Sequence, residues 1–168
     1  AGIGCGYWES LIVTNTGTIR KTAGAGSSVT GYSAGGGAKA IFNHGLIEAQ
    51  TGAIELHTFN STSTHTGTFI ASGSGTLDFR AGDHLIESPG SITTSGGTLR
   101  VSGGRLTMTG AYDVASLSVS SGALTLGGDY VWDLLNLSGG TLTLNGTVQI
   151  TTANISGGTL SGTGLVKV

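Results

Sequence analysis

An 18-residue period runs through the second half of the chain and leaves few architectures open to it. Residues 97–168 divide into four units: GTLRVSGGRLTMTGAYDV, ASLSVSSGALTLGGDYVW, DLLNLSGGTLTLNGTVQI and TTANISGGTLSGTGLVKV. Gly104, Gly122, Gly140 and Gly158 recur at this spacing, as do Leu106, Leu124, Leu142 and Leu160. A second glycine column runs Gly110, Gly128, Gly146, Gly164. A fixed period of this kind marks a repeat architecture, in which one unit cannot bury its apolar face alone and stacks on its neighbours.

Within each unit the apolar residues form pairs two apart. One set is Leu99/Val101, Leu117/Val119, Leu135/Leu137 and Ala153/Ile155. The next is Leu106/Met108, Leu124/Leu126 and Leu142/Leu144, with Leu160/Gly162 last. The third is Tyr112/Val114, Tyr130/Trp132, Val148/Ile150 and Val166/Val168. Residues two apart share one face of a strand. No stretch combines a 3.6-residue apolar period with helix caps. Each unit therefore reads as three short strands separated by glycine turns. That is one coil of an all-β, single-stranded parallel β-helix, or β-solenoid. Like positions stack into ladders about 4.8 Å apart, and the inward ladders form the core. About seven coils of 18 to 28 residues give a rod roughly 30–40 Å long.

Residues 15–96 repeat less regularly. Gly17-Thr18-Ile19, Gly45-Leu46-Ile47, Gly67-Thr68-Phe69 and Gly90-Ser91-Ile92 mark one corner, so these coils are longer than 18 residues. The low-complexity segment 23–40 reads as the largest loop, and residues 57–65 as a polar loop or an outward strand. Residues 1–14 form an N-terminal segment or cap. No composition break divides residues 1–168 into more than one domain.

Composition narrows the function classes. Charged residues make up 10% of the chain and the net charge is −2, so there is no basic footprint for nucleic acid. No run reaches membrane-spanning length, and no membrane insertion is expected. The single cysteine, Cys5, rules out an internal disulfide framework and leaves a bond to a neighbouring subunit as its sharper use. A start at Ala1 fits a mature chain from which a signal sequence has been removed or a cut fragment, and low charge with abundant Ser and Thr points to an extracellular setting.

The run Gly157-Gly158-Thr159-Leu160-Ser161-Gly162-Thr163-Gly164-Leu165-Val166, with its copies at Gly139-Gly140-Thr141-Leu142 and Gly96-Gly97-Thr98-Leu99, resembles a known class of bacterial surface repeats. These are the repeats of autotransporter passengers and filamentous-haemagglutinin-like adhesins. The resemblance implies a right-handed parallel β-helix, secreted or on a cell surface, with no catalytic residue.

Candidate chemistry is sparse. His44, His57, His65 and His84 lack zinc-site spacing and read as turn or solvent-facing residues. Asp78 and Arg80 alternate with Leu77 and Phe79, which directs both outward, and Glu55 aligns with Asp78 one coil earlier. Paired carboxylates on an outer face could serve glycoside hydrolysis, but a solvated charge pair is the commoner meaning. No catalytic residue, cofactor or metal is assigned. Thr107, Thr125, Thr141, Thr143 and Thr159 form an outward array that could bind a polysaccharide face or ice, interrupted by Arg105 and Ala123. Threonine is also a good strand former whose hydroxyl tolerates water.

The favoured expectation is a non-enzymatic structural protein that stacks head to tail with copies of itself into a fibre. Its assembly interface would comprise Tyr7, Trp8, Leu11, Ile12 and Val13 at one end and Leu160, Leu165, Val166 and Val168 at the other. The alternatives are a segment or stalk of an adhesin, and a carbohydrate- or ice-binding module.

Overall fold

The computed structural model describes residues 2–4, 9–32 and 37–168. Every regular element among them is a β-strand, and nearly all pairing is parallel. The chain winds as a β-solenoid whose strands fall on three faces. Cys5, Tyr7 and Trp8, expected as an intermolecular thiol and part of an assembly interface, lie outside the described residues.

On the first face, Thr18–Lys21 pairs with the start of the strand Leu46–His65. The start of Thr68–Ile86, then Ser91–Ser95 and then Ala111–Asp113 follow. Ile19, Ile47, Phe69, Ile92 and Tyr112 stack along it. The second face stacks Ser28, Ile54, Leu77, Leu99, Leu117, Leu135 and Ala153. The third pairs Val13 with Ile41, then runs Ser63, His84, Leu106, Leu124, Leu142 and Leu160. Ile41 joins the two parts of this face by donating its N–H to Ser63 Oγ at 3.1 Å. The inward pairs lie on the columns the alternation predicts, with Leu99, Leu106, Leu117, Leu124, Leu135 and Leu142 solvent-free, Tyr112 and Tyr130 partly buried, and Ile155, Leu160 and Val168 of the last unit exposed.

The two long strands, Leu46–His65 and Thr68–Ile86, pass through more than one face. They bend at positive-φ residues: Gly52 and Asn60 in the first, Gly73 and Gly82 in the second. Residues 57–65 are therefore strand, and part of the segment expected as a loop forms the strand Ser27–Tyr32.

The corner glycines explain why the period is strict. A Cβ on Gly146 would sit 2.0 Å from the Gly128 carbonyl oxygen, and one on Gly164 would sit 2.1 Å from that of Gly146. The same contact links Gly17 to Gly45, Gly45 to Gly67 and Gly90 to Gly110. The motif of the irregular half and the second glycine column are thus one corner. That contact is absent for a Cβ on Gly90 or Gly128, and at the second of these the strand pairing is interrupted as well. Ala111–Asp113 pairs only with Ser91–Ser95, while Tyr130–Trp132 pairs only with the coil after it. The rings of Tyr112 and Tyr130 meet edge-on there at 4.8 Å, beside a cavity of about 240 Å³.

A charge in an inward ladder has no solvent and no partner. Leu124→Asp should abolish the cooperative urea transition, whereas Thr125→Lys, one residue on and facing outward, should shift it by less than about 0.5 kcal/mol. Equal losses from the two variants would contradict the assigned faces.

Candidate functional site

Three groups of polar side chains stand out once the ladders are in place. The first lies on the outer side of the first and second faces in the irregular coils. Arg20 and Glu48 are partners in register, with Nε to Oε2 at 2.5 Å. Gln50 and Ser72 also donate to Glu48. The hydrogen bond from Gln50, followed by that from Arg20, holds the Glu48 carboxyl below its ordinary range. On the second face Glu55 stacks on Asp78, and Asp78 on Arg100. Burial pushes the Glu55 carboxyl up, but hydrogen bonds from Ser27 and His57 and the Arg80 charge outweigh it, and the net shift is downward.

Asp78 lies on the outward column as its alternation requires, yet it is fully buried. Arg100 Nη2 covers it at 2.6 Å and Ser102 Oγ at 2.7 Å. The reading of Asp78 as a solvent-facing residue is corrected for that reason: the next coil's longer side chains fold over it. Glu55 and Asp78 are adjacent carboxylates, but each is already neutralised by its own guanidinium, Arg80 or Arg100. An acid–base pair for glycoside cleavage needs one carboxyl held protonated and room for a sugar between the two. Glu55 is shifted the opposite way, so the arrangement suits a structural charge ladder.

The second group is inside the core. His65 and His84 are buried, which corrects their reading as turn or solvent-facing histidines; His44 alone is exposed. They occupy inward positions of the third face, where later coils place Ile86 and Leu106. Their rings stack at 5.4 Å, and each meets a phenylalanine edge-on: Phe69 at 5.1 Å and Phe79 at 5.0 Å. Asn43 N–H donates to His65 Nδ1 at 3.1 Å, so the His65 proton sits on Nε2. That proton points at His84 Nδ1, 3.1 Å away, which leaves His84 Nε2–H to donate to the Ala81 carbonyl at 3.1 Å. Beside the pair, Asn15 and Asn43 form an amide ladder at the same corner, with Nδ2 to Oδ1 at 2.7 Å. Lys39 is buried on this face too and donates to the carbonyls of Glu9 and Gly37. The sequence carried a signal for these residues: they break the aliphatic register of the third face.

The third group is the threonine array. Thr107, Thr125, Thr143 and Ser161 stack in register, as do Thr141 and Thr159 beside them. Thr143 and Ser161 hydroxyls are 3.0 Å apart. Only Thr141/Thr143 and Thr159/Ser161 make complete paired rungs, because Arg105 and Ala123 hold the neighbouring column in the earlier coils.

The two ends carry the remaining sequence-derived candidates. Val13 and Val166 pack partly against the core, and Leu11 is half-buried. Ile12, Leu165 and Val168 are exposed, and Leu160, although in register with the buried Leu142, is 40% exposed. At the first coil an open cavity of about 590 Å³ lies beside Ile19, Ser28, Thr30 and Ile54. The described residues contain no group of three or more His, Cys, Asp or Glu side chains placed to hold a metal ion. Comparison with protein-family models, curated proteins and solved structures finds no match to this chain.

Removing Arg100 strands a buried carboxylate, a loss that costs about 3–5 kcal/mol in comparable sites. Arg100→Met should therefore destabilise strongly, and Asp78→Leu added to it should recover most of the loss in equilibrium denaturation. A double variant as weak as the single would mean that the pair is not what Asp78 depends on.

Proposed function

We propose that the protein is a non-enzymatic structural solenoid, extracellular in setting, that stacks end to end with copies of itself into a fibre. The observation that carries this reading is the matching phase of the two ends. Gly2–Gly4 lies on the second face, Leu11–Asn15 on the third and Thr18–Lys21 on the first. At the other end Thr152 to Ile155 lies on the second face, Thr159–Ser161 on the third and Leu165–Lys167 on the first. Each of these strands pairs on only one side among the described residues. The corner spacing also matches, since Val13 and Ile19 are six residues apart and so are Leu160 and Val166. A second copy placed on Thr159–Lys167 continues all three ladders in the same order and polarity. Unpaired strand edges invite such pairing, and a head-to-tail contact that does not close on itself makes a filament.

In this docking Leu160 meets Val13 and Val166 meets Ile19, while the partner's first-coil cavity receives the apolar side chains of the last coil. Lys167 falls opposite Arg20, where like charges are unfavourable. The guanidinium neighbours of Glu55 and Asp78 support the non-catalytic part of the reading. A polysaccharide partner on Thr141, Thr143, Thr159 and Ser161 remains a second reading, favoured by their two complete rungs.

Sedimentation velocity and electron microscopy of the purified chain test this. Leu165 N–H bonds inward to Gly146 O, so alternation along the strand directs the Val166 N–H to the open edge. The wild type should form filaments, Val166→Pro should stay monomeric with its interior coils folded, and Lys167→Glu should assemble at lower concentration. A wild-type chain that stays monomeric at high concentration overturns the reading.

A further inference from the structure

We infer that the buried pair His65 and His84 is an acid-labile latch that holds the irregular coils of the solenoid together at neutral pH and releases them as the pH falls. The geometry carries the inference. Asn43 N–H, His65, His84 and the Ala81 carbonyl form one directional chain of hydrogen bonds, and each ring nitrogen already has its only role. A second proton on His65 would have to sit on Nδ1, facing the Asn43 N–H donor. A second proton on His84 would have to sit on Nδ1, facing the Nε2–H of His65. Neither has an acceptor, so either protonation replaces a hydrogen bond with a donor–donor contact between stacked rings, in a solvent-free site lined by Phe69 and Phe79. Burying an unpaired charge is among the most costly events in a core.

The charged surroundings offer little rescue. Charge on His44 opposes protonation of His65, charge on His57 opposes that of His84, and Lys39 is buried on the same face. Asp83 is the one carboxylate whose charge favours protonated His84, and it is exposed and turned toward Arg105 on the outer column. Burial accordingly holds His65 down at about 3 and His84 at about 4. Both lie below the ordinary histidine value of 6.5, so the unfolded chain binds more protons than the folded one between these limits. Stability from the pair is complete above about pH 6.5 and declines as the pH falls toward 4. Two such groups increase the unfolding constant roughly several hundredfold between pH 7 and pH 5.

The latch sits where the consequence is local. Asn43 belongs to the coil of Lys39–Asn43, His65 closes the strand Leu46–His65, and His84 lies in Thr68–Ile86. The Asn43–His65 and His65–His84 hydrogen bonds therefore tie successive coils along one face, while the bond from His84 to Ala81 anchors the chain within its own strand. Solenoid stability is a sum of nearest-neighbour terms, so protonation loosens residues 39–86 while the aliphatic coils of 97–168 keep their contacts.

The test uses the ladder's own apolar residues as replacements: His65→Ile and His84→Leu, matching Ile86 and Leu106 in the next coil. Urea denaturation of wild type and double variant is measured from pH 7 to pH 4, with amide hydrogen exchange at pH 7 and pH 5. The wild type should lose stability several hundredfold by pH 5, with exchange rising first in residues 39–86, and the double variant should lose the greater part of that dependence. Histidine ring NMR of the wild type gives a reading that does not rest on the variant folding. His65 and His84 should remain neutral Nε2–H tautomers down to pH 5. Titration of either near 6.5 in the folded protein, or identical pH slopes for the two proteins, overturns the inference.

Discussion

The architecture of this molecule rests on parallel, in-register pairing between successive coils. A one-residue slip would turn every inward side chain outward, and the corner glycines make such a slip sterically impossible as well. The carbonyl of one corner occupies the space that a Cβ of the next would need, as between Gly128 and Gly146 or Gly146 and Gly164. Sequence period and coil geometry are thus the same constraint. Fully buried Leu99, Leu117 and Leu135, or Leu106, Leu124 and Leu142, then repeat one packing solution rung after rung. Each buried aliphatic side chain contributes about 1.5–3 kcal/mol relative to its exposure to water.

Stacking like on like suits apolar and amide side chains and penalises charges. Asn15 on Asn43, and Asn154 on Asn136 at 2.9 Å, gain a hydrogen bond from being stacked, because an amide is both donor and acceptor. Glu55 on Asp78 gains nothing from it. The second face resolves that conflict by bringing in Arg80 from the same coil and Arg100 from the next, so that each carboxylate has a cation of its own. Neutral histidines behave like amides: His65 and His84 can stack only because each presents one donor and one acceptor. The irregular half of the chain is therefore not a degraded copy of the regular half. On the third face it substitutes polar residues for aliphatic ones, and Asn15, Asn43, His65 and His84 there each find a hydrogen-bond partner.

This also determines what could be read from the residues alone. The 18-residue units were legible because alternation and glycine spacing act locally, and they set the inward columns from Leu99 to Ile150. The buried polar sites were not, since their burial is decided a whole coil away. Nothing in Leu77-Asp78-Phe79 reveals that Arg100 and Ser102, more than twenty positions on, will cover the carboxylate. His65 and His84 show no ligand spacing, and the eight residues from His84 to Ile92, two more than from Leu106 to Tyr112, hide the pairing of His84 with Leu106. Alignment of the irregular coils is further obscured by the extra residues that turn at Asn60, Gly73 and Gly82. The break at Tyr112 and Tyr130 is likewise invisible in the period, which runs through it unchanged. There the bulk of two aromatic rings, with Trp132 stacked at 12° to Tyr130, displaces a backbone pairing that smaller residues permit in the later coils.

A solenoid whose units interact only with their neighbours does not share its weaknesses. In a globular domain a polar pair in the core is buffered by contacts from many directions. Here Ser61, Ser63 and His65 and the backbone N–H groups of Thr66 and Gly67 bond the coil of Lys39–Asn43 to the next, and the coil before it is held by parallel backbone pairing and by Asn15 on Asn43. The rungs from Leu106 to Leu142 carry no such dependence, because their contacts are aliphatic and insensitive to solution conditions. The molecule thus combines a segment whose core is apolar on all three faces with one in which two apolar faces accompany a third that carries polar pairs. A stacked fibre built from it would alternate the two along its axis. Its buried polar joints would then recur once per copy, at the histidine pair.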